Sequence, residues 1–298
     1  MRQRRYGLGF RGDRNTIKLI EIGKIFNECE TALVEALEML YQNRLDYFLL
    51  FLSQAEYNPL CENIDGVSSY MTDYTWDFHV NYHQRSYIIR YLNRNYKRTG
   101  FTYSEDSIDD LVTEMMIYSH IWEDVCFLKF LLRLSQLIDG KGYVWETDLE
   151  YHTELYEKIR NEIIVPLKNQ RLRLGDIIES AYSSNVRNAF SHSMYSIDVD
   201  KGEILLWGGR SKEKSWRQVM TFDEFQEKFL TSIRIWNTLF YLINECRRRA
   251  AEDNLVSGMI PVAGGKHMQI WVEERQRGDK YEPCFRGYVV NLNDGNKE

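Results

Sequence analysis

Apolar side chains recurring at steps of three and four, over long stretches, constrain this chain more than any other feature. In residues 108–138, Leu111, Met115, Tyr118, Trp122, Val125, Phe130, Leu134 and Leu137 fall on one side of a helix. Residues 222–249 form a second long amphipathic run. Residues 16–54 add Ile17, Ile20, Phe26, Leu33, Leu37, Leu40 and Leu45 at the same steps, as one long helix or two. A helix with an apolar stripe must bury it against another element. The expectation is a mainly α chain, and a hydrophobic fraction of 44% with 14% aromatics is enough to give it a core.

Stop signals divide the chain. Asp139-Gly140-Lys141-Gly142 ends the 108–138 helix, because glycine supplies a left-handed turn. A helix over 149–165 is stopped by Pro166, and Asp176 is placed to cap the next one, which runs to about residue 193. Strand-like runs follow at 195–199 and 203–207, with room for another at 215–220, before Asp223 starts the closing helix. Beyond residue 253, Gly258, Pro261, Gly264, Gly265, Gly278, Pro283 and Gly287 separate short strand-like runs at 269–272 and 288–292. Three units are expected: an N-terminal helical extension with an aromatic and basic segment (1–104), a helical domain (105–252) and a small β-rich appendage (253–298).

The chemistry-bearing stretch is residues 184–195, where Arg187, Asn188, Ser191, His192, Ser193 and Tyr195 crowd into a dozen positions. Ala181, Val186, Ala189, Phe190 and Met194 give it an apolar side. Asn188 and His192 are four apart and share a face. Arg187 and His192 are five apart, about 140° around an ideal helix. Unwinding at the helix end, or a second copy of the helix, would let both reach one phosphate.

The run Arg187-Asn188, three residues, His192 resembles the signature of the HEPN superfamily, and the strand pair and long helix after it follow the order many such proteins show. The resemblance covers about half the chain. It implies a HEPN-like helical bundle with a short β-hairpin after the motif helix, and a metal-independent ribonuclease that leaves a 2′,3′-cyclic phosphate. In that reading His192 is the general base or acid, because histidine titrates near neutrality. Arg187 clamps the charge that builds on phosphorus, and Asn188 orients the phosphate or holds one tautomer of His192. Ser191, Ser193 and Tyr195 are supporting hydroxyls, and Glu123 or Glu179 is the acid from a neighbouring helix. The resemblance also implies a homodimer through the motif helices, tRNA or mRNA as target, a toxin or anti-phage role and an antitoxin or regulatory protein as partner. In family toxins silenced by a nucleotidyltransferase, a tyrosine lies two residues after the histidine. Here Met194 holds that place and Tyr195 comes one later. A catalytically silent module that binds RNA, a nucleotide or a protein is the alternative.

Elsewhere, Arg85, Arg90, Arg94 and Lys97 interleave with tyrosines. That pattern suits single-stranded RNA, whose bases stack on rings while phosphates meet cations, and equally suits the wet face of an amphipathic helix. Arg171 and Arg173 form a second basic site. Arg2, Arg4, Arg5, Arg11 and Arg14 make either a solvated tail or an RNA-touching arm. His79 and His83 have the spacing of zinc ligands but lack a glutamate between them or a cysteine nearby, so neither a metal nor another cofactor is expected. A net charge of −6 argues against a generic nucleic-acid glue. Five scattered cysteines, without a signal-like or membrane-spanning apolar run, lead us to expect a cytoplasmic protein with no membrane contact.

Overall fold

The computed structural model describes residues 19–57, 70–71, 86–88, 90, 108–147, 149, 155–209, 215–262, 266–277 and 280–291. In chain order its helices are α1 (Leu19–Asn43), α2 (Leu45–Ser53), α3 (Ile108–Glu123), α4 (Val125–Ile138), α5 (Leu155–Lys158), α6 (Val165–Asn169), α7 (Arg173–Ala181), α8 (Ser184–Ser191) and α9 (Phe222–Glu252). A π-helical stretch, Ile159–Ile164, joins α5 to α6. The strands are β1 (Glu56–Tyr57), β2 (Tyr70–Met71), β3 (Tyr195–Asp198), β4 (Glu203–Gly208), β5 (Trp216–Thr221), β6 (Ile260–Pro261), β7 (Lys266–Arg277) and β8 (Lys280–Asn291).

The closing helix α9 is the central strut. Thr221 accepts from the Glu224 N–H at 3.2 Å, while the Glu224 carboxylate accepts from the Thr221 N–H at 2.7 Å. This capping box satisfies two end groups at once and is worth about 1 kcal/mol. Thr221 and Glu224 stand three apart in the sequence, so the signal was readable, two residues ahead of the start expected at Asp223. Phe225, Phe229, Trp236, Leu239, Phe240 and Ile243 on α9 are buried. Phe225 meets Tyr118 of α3 and Phe240 meets Phe130 of α4, the latter two rings crossing at 87°.

Of the run expected over 16–54, residues 19–53 form two helices, and residues 108–138 also break into two, α3 and α4, at Asp124. Here the single-helix expectation fails for a specific reason. Asp124 accepts from the Phe127 N–H at 3.2 Å, as the cap of a new helix, and from Trp236 Nε1 at 2.8 Å. The aspartate thus starts a new helix and meets the buried indole of a neighbouring one at the same time. Pro166 does not stop its helix either. The Glu162 carbonyl, which would pair with the N–H that residue 166 lacks, accepts from Ser135 Oγ at 2.6 Å, and the helix continues through the π turn.

The expectation of a mainly α, HEPN-like bundle is corrected. The described residues carry two three-stranded antiparallel sheets, β3-β4-β5 and β6-β7-β8, beside a small β1-β2 pair, and the fold is mixed α and β. Two physical reasons account for it. The hairpin gains β5, in register with β4 from Glu203 opposite Thr221 to Gly208 opposite Trp216; the Trp216 ring lies across Gly208, where a Cβ would come within 2.7 Å of it. Near the C-terminus, Met268, Ile270 and Val272 are buried at alternate positions. The β7-β8 ladder then continues through charged residues to Arg277 opposite Lys280, where no apolar alternation marks it. Pro283 lies inside β8, an edge strand that tolerates a residue without an N–H. Met268, Ile270, Val272 and Phe285 share the hydrophobic core of the helices.

Among the charged side chains buried in the described core, Arg133 has no exposed surface. Arg133 on α4 donates to Gln54 Oε1 at 2.8 Å and the Val144 carbonyl at 3.1 Å, and pairs with Glu56 at 3.3 Å, where Lys129 also arrives at 2.8 Å. Its guanidinium lies 4.9 Å from the Tyr143 ring centroid. Among the described residues no helix is long and apolar enough to cross a membrane.

Burial pushes the phenols of Tyr118 and Tyr143 well above the ordinary tyrosine range. With folded values raised above the unfolded value of about 10, this stability is whole below about pH 10 and is lost as pH rises beyond it. Urea midpoints should therefore hold through neutrality and fall above about pH 10. A Tyr118→Phe, Tyr143→Phe variant should start weaker and lose less across that range; an unchanged alkaline slope would refute the assignment.

Candidate functional site

The motif helix α8 is short because both of its ends are capped. Tyr182 and Ser183 leave the helical conformation, with φ/ψ of −79°/132° and −140°/109°. Ser183 caps α8 by accepting from the Val186 N–H at 3.4 Å. The gap between α7 and α8 is held by Tyr118 of α3. Its buried hydroxyl donates to the Ala181 carbonyl at 2.9 Å and accepts from the Ser183 N–H at 2.7 Å. The continuous motif helix capped by Asp176 is thus corrected: Asp176 sits in the first turn of α7 and pairs with Lys168 at 3.1 Å.

At its other end α8 closes two residues earlier than expected. His192 is the C-cap (φ −106°, ψ 8°) and Ser193 turns left-handed (φ +54°). The Ser193 N–H donates to the Phe190 carbonyl at 3.0 Å and the Met194 N–H to the Ala189 carbonyl at 2.7 Å. That pair of bonds is a Schellman motif, with serine where helices commonly place glycine. Ser193 shapes the turn, and Tyr195 stacks its ring on Phe190 at 5.8 Å and 23°.

Arg187 emerges near the middle of α8 with its side chain only 17% exposed. Its Nε and Nη2 donate to Asn188 Oδ1 at 3.2 and 2.8 Å. Asn188 thereby orients the arginine; no hydrogen bond joins its side chain to His192. Glu123, the last residue of α3, brings a carboxylate oxygen to 3.8 Å from Arg187 Nε and accepts from Ser191 Oγ at 3.4 Å. The α3–α4 elbow holds Glu123 there: Trp122 beside it donates to Ser232 on α9 at 2.9 Å, and Asp124 on its other side receives Trp236. Arg187, Asn188, Glu123 and Ser191 form one connected group. His192 is exposed at the helix end, and among the described residues its ring makes no hydrogen bond.

The other expected residues lie elsewhere. Glu179 is bound to Lys168 on the surface of α7 and does not support Arg187. Arg173 pairs with Glu35 of α1 at 3.3 Å, and Arg171 is exposed in a left-handed turn (φ +58°). Arg90 is exposed, lies over the Tyr87 ring at 4.6 Å and donates to the Ser86 carbonyl at 3.1 Å. Arg85, Arg94, Lys97, His79, His83 and the arginines of residues 1–14 lie outside the described residues. Of the arginines ending α9, Arg247 is buried against the Phe285 ring at 4.6 Å, and Arg248 and Arg249 both pair with Glu245. Among the described residues no group of three or more His, Cys, Asp and Glu side chains is gathered as metal ligands would be.

Two contributors escaped the sequence reading. The Tyr118 hydroxyl was one, although an inward tyrosine must find a partner for its O–H. Asn185 was the other: it donates to Gln218 Oε1 at 2.8 Å and ties α8 to β5. Tyr182, whose phenol burial pushes up to about 12, packs on Trp122 at 4.9 Å. Its buried hydroxyl has no hydrogen-bond partner among the described residues.

Comparisons with protein-family models, with curated proteins and with solved structures return no match.

The left-handed serine gives a direct test of the helix end. An L side chain in this conformation costs about 1 kcal/mol or more. Ser193→Gly should raise the unfolding free energy by about 1 kcal/mol in urea titrations, and Ser193→Val should lower it by at least as much.

Proposed function

We propose that this chain is a metal-independent endoribonuclease whose site is Arg187, Asn188 and His192, with Glu123 and Ser191 in support. The observation that carries the reading is the state of Arg187: mostly buried, oriented by Asn188, and with no hydrogen bond on Nη1 among the described residues. A guanidinium held in this way offers a free N–H edge to a phosphate without having to be ordered at the moment of reaction. Five residues on, His192 is exposed at the helix end and open to solvent and substrate.

In the proposed step His192 removes the proton from the ribose 2′-hydroxyl. The 2′-oxygen attacks phosphorus and the bond to the 5′-oxygen breaks, that oxygen taking a proton from water, which gives a 2′,3′-cyclic phosphate and a 5′-hydroxyl. Arg187 stabilises the extra negative charge on the phosphoryl oxygens. Glu123 and Asn188 fix the guanidinium plane. A second copy, paired through α8, would supply its own Arg187 and His192 to the same cleft, and the target would be tRNA or mRNA. The role of toxin or anti-phage effector, with an antitoxin or regulatory partner, rests on the resemblance of the motif.

A second reading has an observation of its own. Two of the guanidinium's N–H groups are already satisfied by Asn188, with the Glu123 carboxylate close by, and such an arginine can equally be part of a silent module that binds RNA or protein.

Purified protein incubated with total RNA in EDTA separates the two. Cleavage leaving cyclic phosphate ends is expected, falling by a factor of about 100 or more in Arg187→Ala and in His192→Ala. Asn188→Ala should lose less, about tenfold, because it acts through Arg187. RNA binding without cleavage by the folded protein would favour the silent module. Cleavage undiminished in both alanine variants would put the site elsewhere.

A further inference from the structure

A second cleft opens between α1, α2 and α9, with a volume of about 520 Å³. It is lined by α1, α2 and the half of α9 beyond the elbow contacts, so it stands apart from Arg187. Its floor is apolar: Leu37, Phe48, Leu242 and Leu255. Tyr41, nearly half exposed, meets Phe48 edge-on at 5.3 Å and 77°. This volume lies within the range of sites that enclose small organic molecules, which are mostly apolar with a few placed polar groups.

The polar groups here have one sign left over. Four charged residues line the cleft: Glu38, Glu245, Asp253 and Arg249. Arg249, the one cation among them, donates from Nε to Glu245 Oε1 at 2.9 Å, and Arg248 reaches the same carboxylate at 2.7 Å. Glu38 and Asp253 have no ion-pair partner among the described residues. Two unpaired carboxylates beside a low-dielectric wall favour a cation and oppose an anion. An aromatic ring at the mouth adds to that preference.

We propose that this cleft is a binding site for a small apolar amine, its hydrocarbon or aromatic body on the Leu37–Phe48–Leu242 floor and its cationic end toward Glu38 and Asp253. The inference is independent of the ribonuclease reading. Hydrophobic burial holds the body, and the charge decides which bodies are accepted. A neutral molecule of the same shape forfeits the carboxylate attraction, and an acid of the same shape is repelled.

The test uses phenylbutylamine, phenylbutanol and phenylbutanoate on the full chain, with calorimetry or ligand-observed NMR. The amine should saturate with a Kd of about millimolar, the ordinary affinity of a fragment this small. The alcohol should bind about tenfold more weakly and the acid not at all. Combining Glu38→Gln with Asp253→Asn, both at exposed positions, should weaken the amine about tenfold and leave the alcohol unchanged. Cys246 lines the cleft, so the amine should slow its alkylation and leave that of Cys284 unaltered, read peptide by peptide in mass spectrometry. Equal binding of the three probes, an unchanged amine Kd in the double variant, or an unprotected Cys246 would each overturn the proposal. So would saturation only by an apolar basic peptide, with none by the amine up to about 10 mM, which would make the cleft a protein-docking groove.

Discussion

The pair of indole hydrogen bonds at the α3–α4 elbow is the constraint on which the rest depends. Trp122 and Trp236 are both fully or almost fully buried, and a buried indole N–H must find an acceptor. Trp122 finds Ser232 and Trp236 finds Asp124, so two helices are locked to α9 on either side of a single residue, Glu123. Glu123 therefore cannot move without disturbing two core tryptophans. That fixes the backbone position from which a half-exposed carboxylate reaches toward Arg187. The charged group at the site inherits its position from apolar packing a few ångströms away.

The same logic recurs at the ends of α8. Tyr118 reaches from α3 to satisfy a carbonyl and an N–H at the α7–α8 gap, backbone groups that would otherwise be buried and unpaired. Asn185 and Gln218 tie the helix to β5, and the Schellman turn at Ser193 directs the chain into β3. A helix of eight residues has little stability of its own. Its geometry is imposed by neighbours from α3 and from the sheet, and the rigidity needed to hold an arginine ready comes from them. Arg133 shows the same economy in the core: its charge is tolerated because Gln54, the Val144 carbonyl, Glu56 and the Tyr143 ring meet its donors and its face.

Much of this was legible in advance where a single pattern sufficed. The apolar stripe of residues 108–138 gave the inward residues there, the amphipathic run at 222–249 gave the closing helix, and the strand-like runs at 195–199 and 203–207 fell within about a residue of β3 and β4. The breaks were not legible. Asp124 reads as one more polar residue on a helix until Trp236 is brought beside it, and Pro166 reads as a stop until Ser135 meets the carbonyl it orphans. The length of β7 and β8 was hidden for a different reason. Residues 273–277 carry no apolar alternation, and what keeps them in the ladder is backbone hydrogen bonding that composition does not encode.

By itself the sequence determined which faces are apolar, where the hairpin turns, and that Arg187, Asn188 and His192 lie close together in one short run at a helix end. Local periodicity carries all of that, because it depends only on residues a few positions apart. Tertiary structure alone decided that Asn188 serves Arg187, that Glu123 and not Glu179 approaches it, that Arg173, Arg248 and Arg249 are already paired, and that the fold is mixed rather than mainly helical. Those outcomes depend on which distant donor meets which acceptor once water is excluded. That matching is a property of the packed core, and no short window of residues contains it.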